Sequence, residues 1–221
     1  MDYLQFIGKY WPQFVDGTVV TVLQVILASA LAILIAHIAG MMRLAPLRII
    51  RAAATVYIEI FRGSSLLVQL YWIFFVLPLF GLTFDKFLTG FIAVGMNLGA
   101  YGAELVRGAI MAVPKGQKEA AIALNIPPAK RMLRIIYPQA VLIMLPAWGN
   151  LLIELLKGTA LVALISVADL MFVSKQINNS TFLSAQAFGT ALIIYYILAR
   201  MIVTPIMRWL ERVMARKVGK T

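Results

Sequence analysis

Five stretches of this chain are apolar and long enough to cross a hydrocarbon core of about 30 Å at about 1.5 Å per residue. They lie within residues 17–42, 55–80, 87–105, 136–156 and 185–207. Lipid offers no hydrogen-bond partner to the backbone, so such stretches satisfy their own backbone groups as helices. The chain is also 62% hydrophobic and only 13% charged, unlike a soluble domain. The sequence predicts an all-α integral membrane protein with five transmembrane helices in one domain, residues 1–221.

The basic residues give an orientation to these helices. Most of the 20 lysines and arginines lie in the first connector, the third connector and the C-terminal end. Because cytoplasmic loops carry an excess of positive charge, these regions should face the cytosol, with the N-terminus outside and the C-terminus inside. The net charge of +11 is spread along the spans in this way, so we expect a lipid membrane and no nucleic acid as its partner. Residues 1–15, which place apolar side chains on one helical face, should form a separate helix in the membrane interface.

The third connector, residues 115–136, has the pattern of a short helix, a turn and a second helix. Glu119 to Leu124 is a run of good helix formers, and Asn125 tolerates the left-handed conformation that often ends a helix. Pro127 and Pro128 suit the first turn of the next helix. A solvated basic connector, the alternative, would need no such pattern.

The region between the fourth and fifth spans combines apolar and polar features. Residues 158–174 are apolar but interrupted by Asp169, and their uncharged part is too short to cross the membrane. We expect a re-entrant or external segment packed on the bundle. The polar run 178–181 should form an external turn.

No residue pattern in the chain points to catalysis. It has no cysteine, one histidine and nine acidic residues, and no Ser-His-Asp set, metal-ligand cluster or phosphate-binding glycine loop can be recognised. The sequence predicts a protein that is not an enzyme and holds no cofactor of its own.

Polar residues within the spans are the candidates for binding a solute. Asn150 and Glu154 are four residues apart on the fourth span, and Lys157 follows one turn later, so the three share a helical face. Charges within a span are costly and suggest function; this row could bind the ammonium and carboxylate of a zwitterion. Alternatively, Glu154 and Lys157 only pair with each other. Asn97 and Tyr101 on the third span could face the same cavity or make ordinary hydrogen bonds between helices.

We expect two other polar pairs to have a structural role. Glu104 and Arg107, and likewise Glu59 and Arg62, are three residues apart and are predicted to form local ion pairs. Residues 195–196, two tyrosines, could offer an aromatic face to a cation, although packing is the commoner role of tyrosines in spans.

Several motifs resemble one transporter family. GQKEAAIALN followed by IIYPQA resembles the EAA loop of ABC importer membrane subunits, above all the permeases for histidine, glutamine and glutamate. The resemblance continues over Gly17–Val25, Tyr57–Leu70, Ala100–Gln117 and Leu155–Leu170, in the family's order. Two positions differ from the family: Asn125 stands for the usual glycine of the loop, and Gly158 for the acidic residue after the lysine.

The resemblance implies a type I ABC importer permease in a bacterial inner membrane, carrying polar amino acids or related zwitterions. It implies a partner ATPase dimer that holds ATP and Mg, a second permease subunit, identical or a sister chain, and an external substrate-binding protein. The residues expected to couple to the ATPase are Lys118, Glu119, Ala120, Ala121, Asn125 and Pro127.

Three alternatives stay open at this point. Within the family, GNLLIELLKGTALVALISVADL is also similar to permeases for ectoine-type compatible solutes. Outside the family, the chain could be an ATP-independent channel or carrier, for which the helix-turn-helix connector would have no purpose. A membrane scaffold without transport would leave the polar row of the fourth span unexplained.

Overall fold

A computed structural model describes residues 2–217, which contain ten α-helices and no strand. The helices are α1 (Tyr3–Met42), α2 (Arg48–Gly63), α3 (Leu66–Tyr71), α4 (Lys86–Ala112), α5 (Lys115–Ala123), α6 (Pro128–Arg131), α7 (Tyr137–Gly158), α8 (Leu170–Thr181), α9 (Ser184–Ile197) and α10 (Thr204–Lys217). Three π-helical segments, Trp72–Val76, Met132–Ile136 and Leu198–Val203, and two 3-10 segments, Leu77–Phe80 and Thr159–Ile165, continue or join them. The predicted all-α fold is confirmed.

The predicted number of spans is matched only in part. Three continuous helical stretches of the described chain, Tyr3–Met42, Pro128–Ile165 and Ser184–Arg216, are long and apolar enough to cross a membrane. A fourth is added if the bent pair Arg48–Gly63 and Leu66–Phe80 crosses as one. Helix α4, with 27 residues, is long enough but more polar. Five crossings and the orientation of the termini therefore stay predictions.

Helix α1 joins two elements that the sequence predicted to be separate. It begins at Asp2, whose side chain accepts a hydrogen bond from the backbone N–H of Tyr3, and runs for 40 residues with Pro12 inside it. The predicted helix of residues 1–15 is thus continuous with the first span, since one proline near its start does not end it. At about 60 Å, α1 is roughly twice as long as the hydrocarbon core is thick. An interfacial position of its first turns stays a prediction.

The centre of the molecule is a close contact between α1 and α4, built on small residues. Ala28, Ala32 and Ala36 repeat every fourth residue of α1 and are all fully buried. A Cβ atom on Gly102 of α4 would lie 2.8 Å from the Cβ of Ala36 and 2.7 Å from Cη2 of Trp148. Small residues let the backbones of helices in a membrane approach closely. This pair forms the frame that carries the connectors.

The second predicted span is sharply broken. Helices α2 and α3 meet at a bend of 106° around Ser64, where the sequence predicted one continuous span. Gln69 stabilises the bend, because its Nε2 donates to the carbonyl oxygen of Phe61 at 2.9 Å and to Oγ of Ser64 at 2.8 Å. A side chain thus satisfies backbone carbonyls near the end of α2 that a straight helix would have satisfied itself.

The segment after α7 is packed on the bundle, as predicted. It contains the 3-10 turn Thr159–Ile165, and Ser166 has a positive φ of 62°. Asp169 is fully buried and accepts a hydrogen bond from the backbone N–H of Phe172, which starts α8. The hydroxyl of Thr21 on α1 accepts from the N–H of Leu170 at 3.0 Å, so the segment is fixed to the first span.

The predicted external turn at residues 178–181 is wrong. These residues are the last turn of α8, and the chain turns only at Phe182, which has a φ of 57°. The hydroxyls of Ser180 and Thr181 both donate to the carbonyl oxygen of Ile177, at 3.0 and 2.7 Å. Such bonds from side chain to backbone let polar residues remain in a helix.

Candidate functional site: a polar cavity and a connector helix

Four of the five residues predicted to bind a solute line one cavity. It has a volume of about 490 Å³ and lies between α4, α7 and the start of α3. Asn97 and Tyr101 come from α4, and Glu154 and Lys157 come from α7. Asn150, the fifth, does not line the cavity and is exposed elsewhere on α7. A role of Asn150 in binding the solute stays a prediction, and this cavity alone does not include it.

Glu154 and Lys157 form an accessible ion pair within this cavity. Nζ of Lys157 donates to Oε1 of Glu154 at 3.1 Å, and the two side chains are 63% and 64% exposed. The local pairing that the sequence left open is therefore present. An exposed pair of this kind contributes little to stability, so each charge is available to exchange its partner for a solute.

Asn97 lies on the cavity wall but its amide group is already engaged. The side chain is buried, and Nδ2 donates to the carbonyl oxygen of Phe61 at 2.9 Å and to Oε1 of Gln69 at 3.0 Å. Both amide hydrogens are thus used to connect α4 to the bend between α2 and α3. The interhelical hydrogen bonding considered from the sequence is what the structure contains.

Tyr101 is linked to a basic residue that the sequence assigned elsewhere. Its hydroxyl donates to the carbonyl oxygen of Arg62 at 3.4 Å, and the guanidinium of Arg62 lies 5.3 Å from the centre of the tyrosine ring. The predicted pair of Arg62 with Glu59 is wrong: the ion pairs among residues 2–217 include neither residue. Spacing allowed the pair, but the α2 terminus turns Arg62 toward α4. A cation therefore lies beside the cavity.

The other predicted ion pair is confirmed and has an additional member. Arg107 lies 2.8 Å from Glu104, and Nε of Arg43 contacts the other carboxylate oxygen at 3.3 Å. Arg43 also donates to the hydroxyl of Thr55 at 2.5 Å. The cluster joins the end of α1 to the middle of α2 and to the C-terminal half of α4. Sequence spacing could not find Arg43, which is 61 residues from its partner.

The third connector has the predicted helix-turn-helix form. Helix α5 begins at Lys115, one turn before the predicted run, and ends after Ala123. Asn125 has a φ of 53°, its N–H donates to the carbonyl of Ile122 at 2.9 Å, and the N–H of Ile126 donates to that of Ala121 at 3.0 Å. These two bonds form the motif that commonly closes a helix at a left-handed residue.

The second half of this connector returns the chain to the bundle. Pro127 precedes α6 and Pro128 is its first residue, as their fixed φ angles favour. The π-helical segment Met132–Ile136 then leads directly into α7. The long helical stretch that contains the Glu154–Lys157 pair is therefore continuous with the end of the connector.

Helix α5 has one buried position and an exposed apolar surface. Ala121 is only 2% exposed, so it packs on the chain's own body, and its role in coupling to the ATPase stays a prediction. Lys118, Glu119 and Ala120 are exposed. Outside the predicted spans, Ile122 and Leu124 are 51% and 74% exposed. These two side chains offer an apolar surface that a partner protein could cover.

Comparison with known proteins assigns these features to a family. The family model described as the inner membrane component of binding-protein-dependent transport systems matches residues 28–216. A probable amino-acid ABC transporter permease of Sinorhizobium fredii is 42% identical over 72% of this chain and 73% of its own. The arginine transport system permease ArtQ of Bacillus subtilis is 33% identical over 91% of this chain and 92% of its own.

Solved structures agree in fold. The crystal structure of an amino acid ABC transporter with histidines superposes with a TM-score of 0.88 at 34% identity, over 96% of this chain and 98% of that one. The MetNI methionine ABC transporter in an inward-facing conformation superposes with a TM-score of 0.81 at 17% identity, over 93% of this chain and 98% of that one. The second similarity, at its low identity, concerns the fold alone.

Proposed function

This chain belongs to the family of inner membrane components of binding-protein-dependent transport systems, and from that premise we propose how it is driven and what it carries. It is the permease subunit of an ABC importer, a multi-pass protein of the inner membrane. We propose that it conducts polar amino acids through the cavity lined by Glu154 and Lys157. ATP and Mg are bound by a partner ATPase dimer, and helix α5 transmits the movement of that partner.

The coupling proposal is supported by the form of the third connector. Helix α5 is closed at Asn125, fixed to the body at Ala121, and presents Ile122 and Leu124 outward. A short helix attached in this way can be displaced as a rigid unit, since it is held at defined points and is not a flexible loop. Through α6 and the segment Met132–Ile136, a push on α5 reaches α7, the helix that carries Glu154 and Lys157.

The coupling can be tested with two matched leucine variants. Leu124 and Leu47 are both exposed in predicted cytosolic connectors, at 74% and 62%, but only Leu124 adjoins α5. In the complex reconstituted in proteoliposomes, Leu124→Asp should detach the ATPase or abolish substrate-stimulated ATP hydrolysis, and Leu47→Asp should do neither. Equal effects of the two variants, or full activity of Leu124→Asp, would contradict the proposed role of α5. Uptake that continues without the ATPase would favour a carrier independent of ATP.

The substrate proposal is carried by one observation, the accessible carboxylate–ammonium pair in a cavity of about 490 Å³. A zwitterion could replace the internal pair with two: its ammonium on Glu154 and its carboxylate on Lys157. The nearby guanidinium of Arg62 leaves this region with more positive than negative charge, which favours a solute with a free carboxylate. Relatives named for arginine, cystine and glutamine transport support an amino acid as the solute.

The two charges can be tested separately with blocked substrates. Lys157→Gln should weaken uptake of a free amino acid but have little effect on uptake of its carboxyl amide, which lacks the negative charge. Uptake assays in proteoliposomes with glutamine, histidine, arginine and ectoine as competitors would also identify the solute class. If Lys157→Gln changes the uptake of both forms equally, Lys157 does not read the carboxylate.

A second permease subunit completes the proposed path. The cavity is open on one side, and Glu154 and Lys157 remain almost two-thirds exposed in this single chain. Charges at membrane depth are normally covered by protein or face a water-filled cavity, so we propose that a second subunit, identical or a sister chain, faces them. An external binding protein would deliver the solute to this pair. Native mass spectrometry of the intact complex would give its composition, and a complex with one permease subunit would contradict this arrangement.

A further inference from the structure

A second cavity lies beneath α5, away from the proposed solute site. It has a volume of about 420 Å³ and lies between the third connector and the ends of α1 and α4. One part of its wall is apolar and includes Leu44, Ile110 and Ile136. The other part is basic and consists of Lys115, Lys118 and Arg131. We call this cavity the basic cleft.

The basic cleft has an uncompensated positive charge. No carboxylate lines it, and the three ion pairs among residues 2–217 involve none of its basic side chains. Three cations that converge on one cavity without an anion repel one another. A bound anion would therefore be stabilised by all three.

The predicted spans place the basic cleft at the boundary between lipid and water. Leu44 follows the end of α1, Ile110 lies in the last turn of α4, and Ile136 directly precedes α7. The apolar wall is thus formed at the ends of α1 and α4, beside the helical segment that leads into α7. The basic side chains come from the connector beyond those ends. A ligand that fits both parts has an apolar chain and an anionic head.

The basic cleft is also distinct from the outer surface of α5. Lys118 lies three residues before the buried Ala121, so the two share a helical face, and the side chain of Lys118 reaches the cleft. Ile122 and Leu124 are exposed outside the cleft. A ligand in the cleft would therefore lie between α5 and the bundle, and a protein docked on the exposed leucine would not compete with it.

We propose that the basic cleft binds the headgroup of an acidic phospholipid of the cytoplasmic leaflet. Lys115, Lys118 and Arg131 hold its phosphate, and an acyl chain follows the apolar wall beside Leu44. Basic pockets at the cytoplasmic ends of transmembrane helices are a known mode of binding for anionic headgroups. The lipid would lie between α5 and the bundle and contact both, so the lipid composition of the membrane would affect how firmly α5 is held.

The proposal can be tested with two double variants of equal charge. Lys115→Gln/Arg131→Gln removes two cations from the cleft, and Lys130→Gln/Arg134→Gln removes one lysine and one arginine of the same connector that do not line it. The complex with its ATPase, purified in detergent, is titrated with dioleoyl phosphatidylglycerol and with dioleoyl phosphatidylcholine, and bound lipid is counted by native mass spectrometry.

The wild-type complex should retain phosphatidylglycerol in preference to phosphatidylcholine. The cleft variant should lose about 30-fold in affinity for phosphatidylglycerol, since each basic residue near an anionic headgroup contributes about a fivefold effect, and the other variant less than about twofold. Should the cleft variant not assemble, Lys115→Gln alone, with about a fivefold loss expected, replaces it.

Three results would overturn the proposal. Equal losses in both double variants would mean that the connector attracts lipid only through its overall charge. Equal retention of the two lipids by the wild-type complex would mean that no anionic headgroup is recognised. Retention of phosphatidylglycerol by the isolated permease but not by the assembled complex would mean that an acidic surface of the ATPase fills the cleft.

Discussion

Asn97 and Glu154 line the same cavity, yet their polar groups are in opposite states. Asn97 is 6% exposed and both of its amide hydrogens are donated to protein acceptors. Glu154 is 63% exposed and its one protein partner is the equally exposed Lys157. The sequence assigned both to the same role. Their difference shows that a polar residue in a span can serve the fold or the solute, and that its accessibility distinguishes the two.

The physical reason is the cost of burying a polar group. An amide removed from water must find partners within the protein, and once it has found them it has no donor left for a solute. An exposed ion pair contributes roughly 0 to 1 kcal/mol to stability, so it can open to bind a ligand at little cost. Burial therefore separates polar residues that hold the helices from those that remain free to bind.

Asp169 extends this comparison to a charged group. It is fully buried like Asn97, and it accepts hydrogen bonds from the N–H of Phe172 and, at 3.3 Å, from the hydroxyl of Tyr195. The hydroxyl of Tyr195 thus has a packing role, and an aromatic contact of its ring with a solute stays a prediction. Burial raises the pKa of Asp169, which lies outside the spans, from 3.8 to about 6. Its hydrogen bonds only partly offset that burial.

The largest effect is expected from removing the buried amide. Asn97→Leu would leave the carbonyl of Phe61 and Oε1 of Gln69 without this donor, at a cost of about 4 kcal/mol in the free energy of unfolding. Asn150→Leu is the matched control, because Asn150 is exposed on α7, and should change it by less than about 0.5 kcal/mol. Denaturant unfolding in detergent measures both. Comparable values for the two variants would break the distinction between buried and exposed amides.

The second effect concerns the buried carboxylate and depends on pH. Because the pKa of Asp169 is higher in the folded than in the unfolded state, the folded protein binds its proton more tightly. Its contribution to stability is complete below about pH 4 and is lost as the pH rises through 6, by about 3 kcal/mol in total.

Asp169→Asn keeps an oxygen that can accept from the N–H of Phe172, but its side chain cannot ionise. Relative to this variant, the wild-type protein should become less stable between pH 4 and pH 7, as followed by thermal unfolding. Glu154→Gln serves as the comparison, since the exposed carboxylate should give no such divergence. Parallel pH curves for wild type and Asp169→Asn would contradict the raised pKa.

The third effect should appear in transport and not in stability. Glu154→Gln removes the charge proposed to bind the ammonium of the solute, and kcat/KM for uptake should fall about 30-fold, the equivalent of about 2 kcal/mol. Its unfolding should shift by less than about 0.5 kcal/mol because the pair is exposed. Glu59→Gln, an exposed carboxylate of α2 away from the cavity, should change neither. If Glu154→Gln destabilises the protein instead, the pair is structural.

Features set by neighbouring residues could be predicted from the sequence. Asn125 and Pro127 define the turn of the third connector because each acts on its own φ angle and those beside it. The pairs Glu154–Lys157 and Glu104–Arg107 likewise follow from helical spacing. The fold class followed from apolar length, which needs no knowledge of tertiary contacts.

Features set by the rotation and contact of distant helices could not be predicted. Spacing placed Asn150 on the face of Glu154, but the position of α4 and α3 decides which part of that face lines a cavity. The bend at Ser64 depends on Gln69 and Asn97 meeting the same carbonyl, and Arg62 faces Tyr101 only because of that bend. The sequence names the residues that form these contacts but does not show which of them lie close together in the fold.

The smallest effect should come from Tyr101, which lies between the two states. The residue is 38% exposed, and its one side-chain hydrogen bond, to the carbonyl of Arg62, is long at 3.4 Å. Tyr101→Phe keeps the ring beneath the guanidinium of Arg62, so uptake should change by less than about threefold, whereas Tyr101→Ala also removes the contact between cation and ring and should cost about fivefold. Kinetics of uptake for both variants separate the two groups. A large loss of uptake already in Tyr101→Phe would mean that the hydroxyl binds the solute. A polar group with a protein partner would then remain available to a solute when its hydrogen bond is weak.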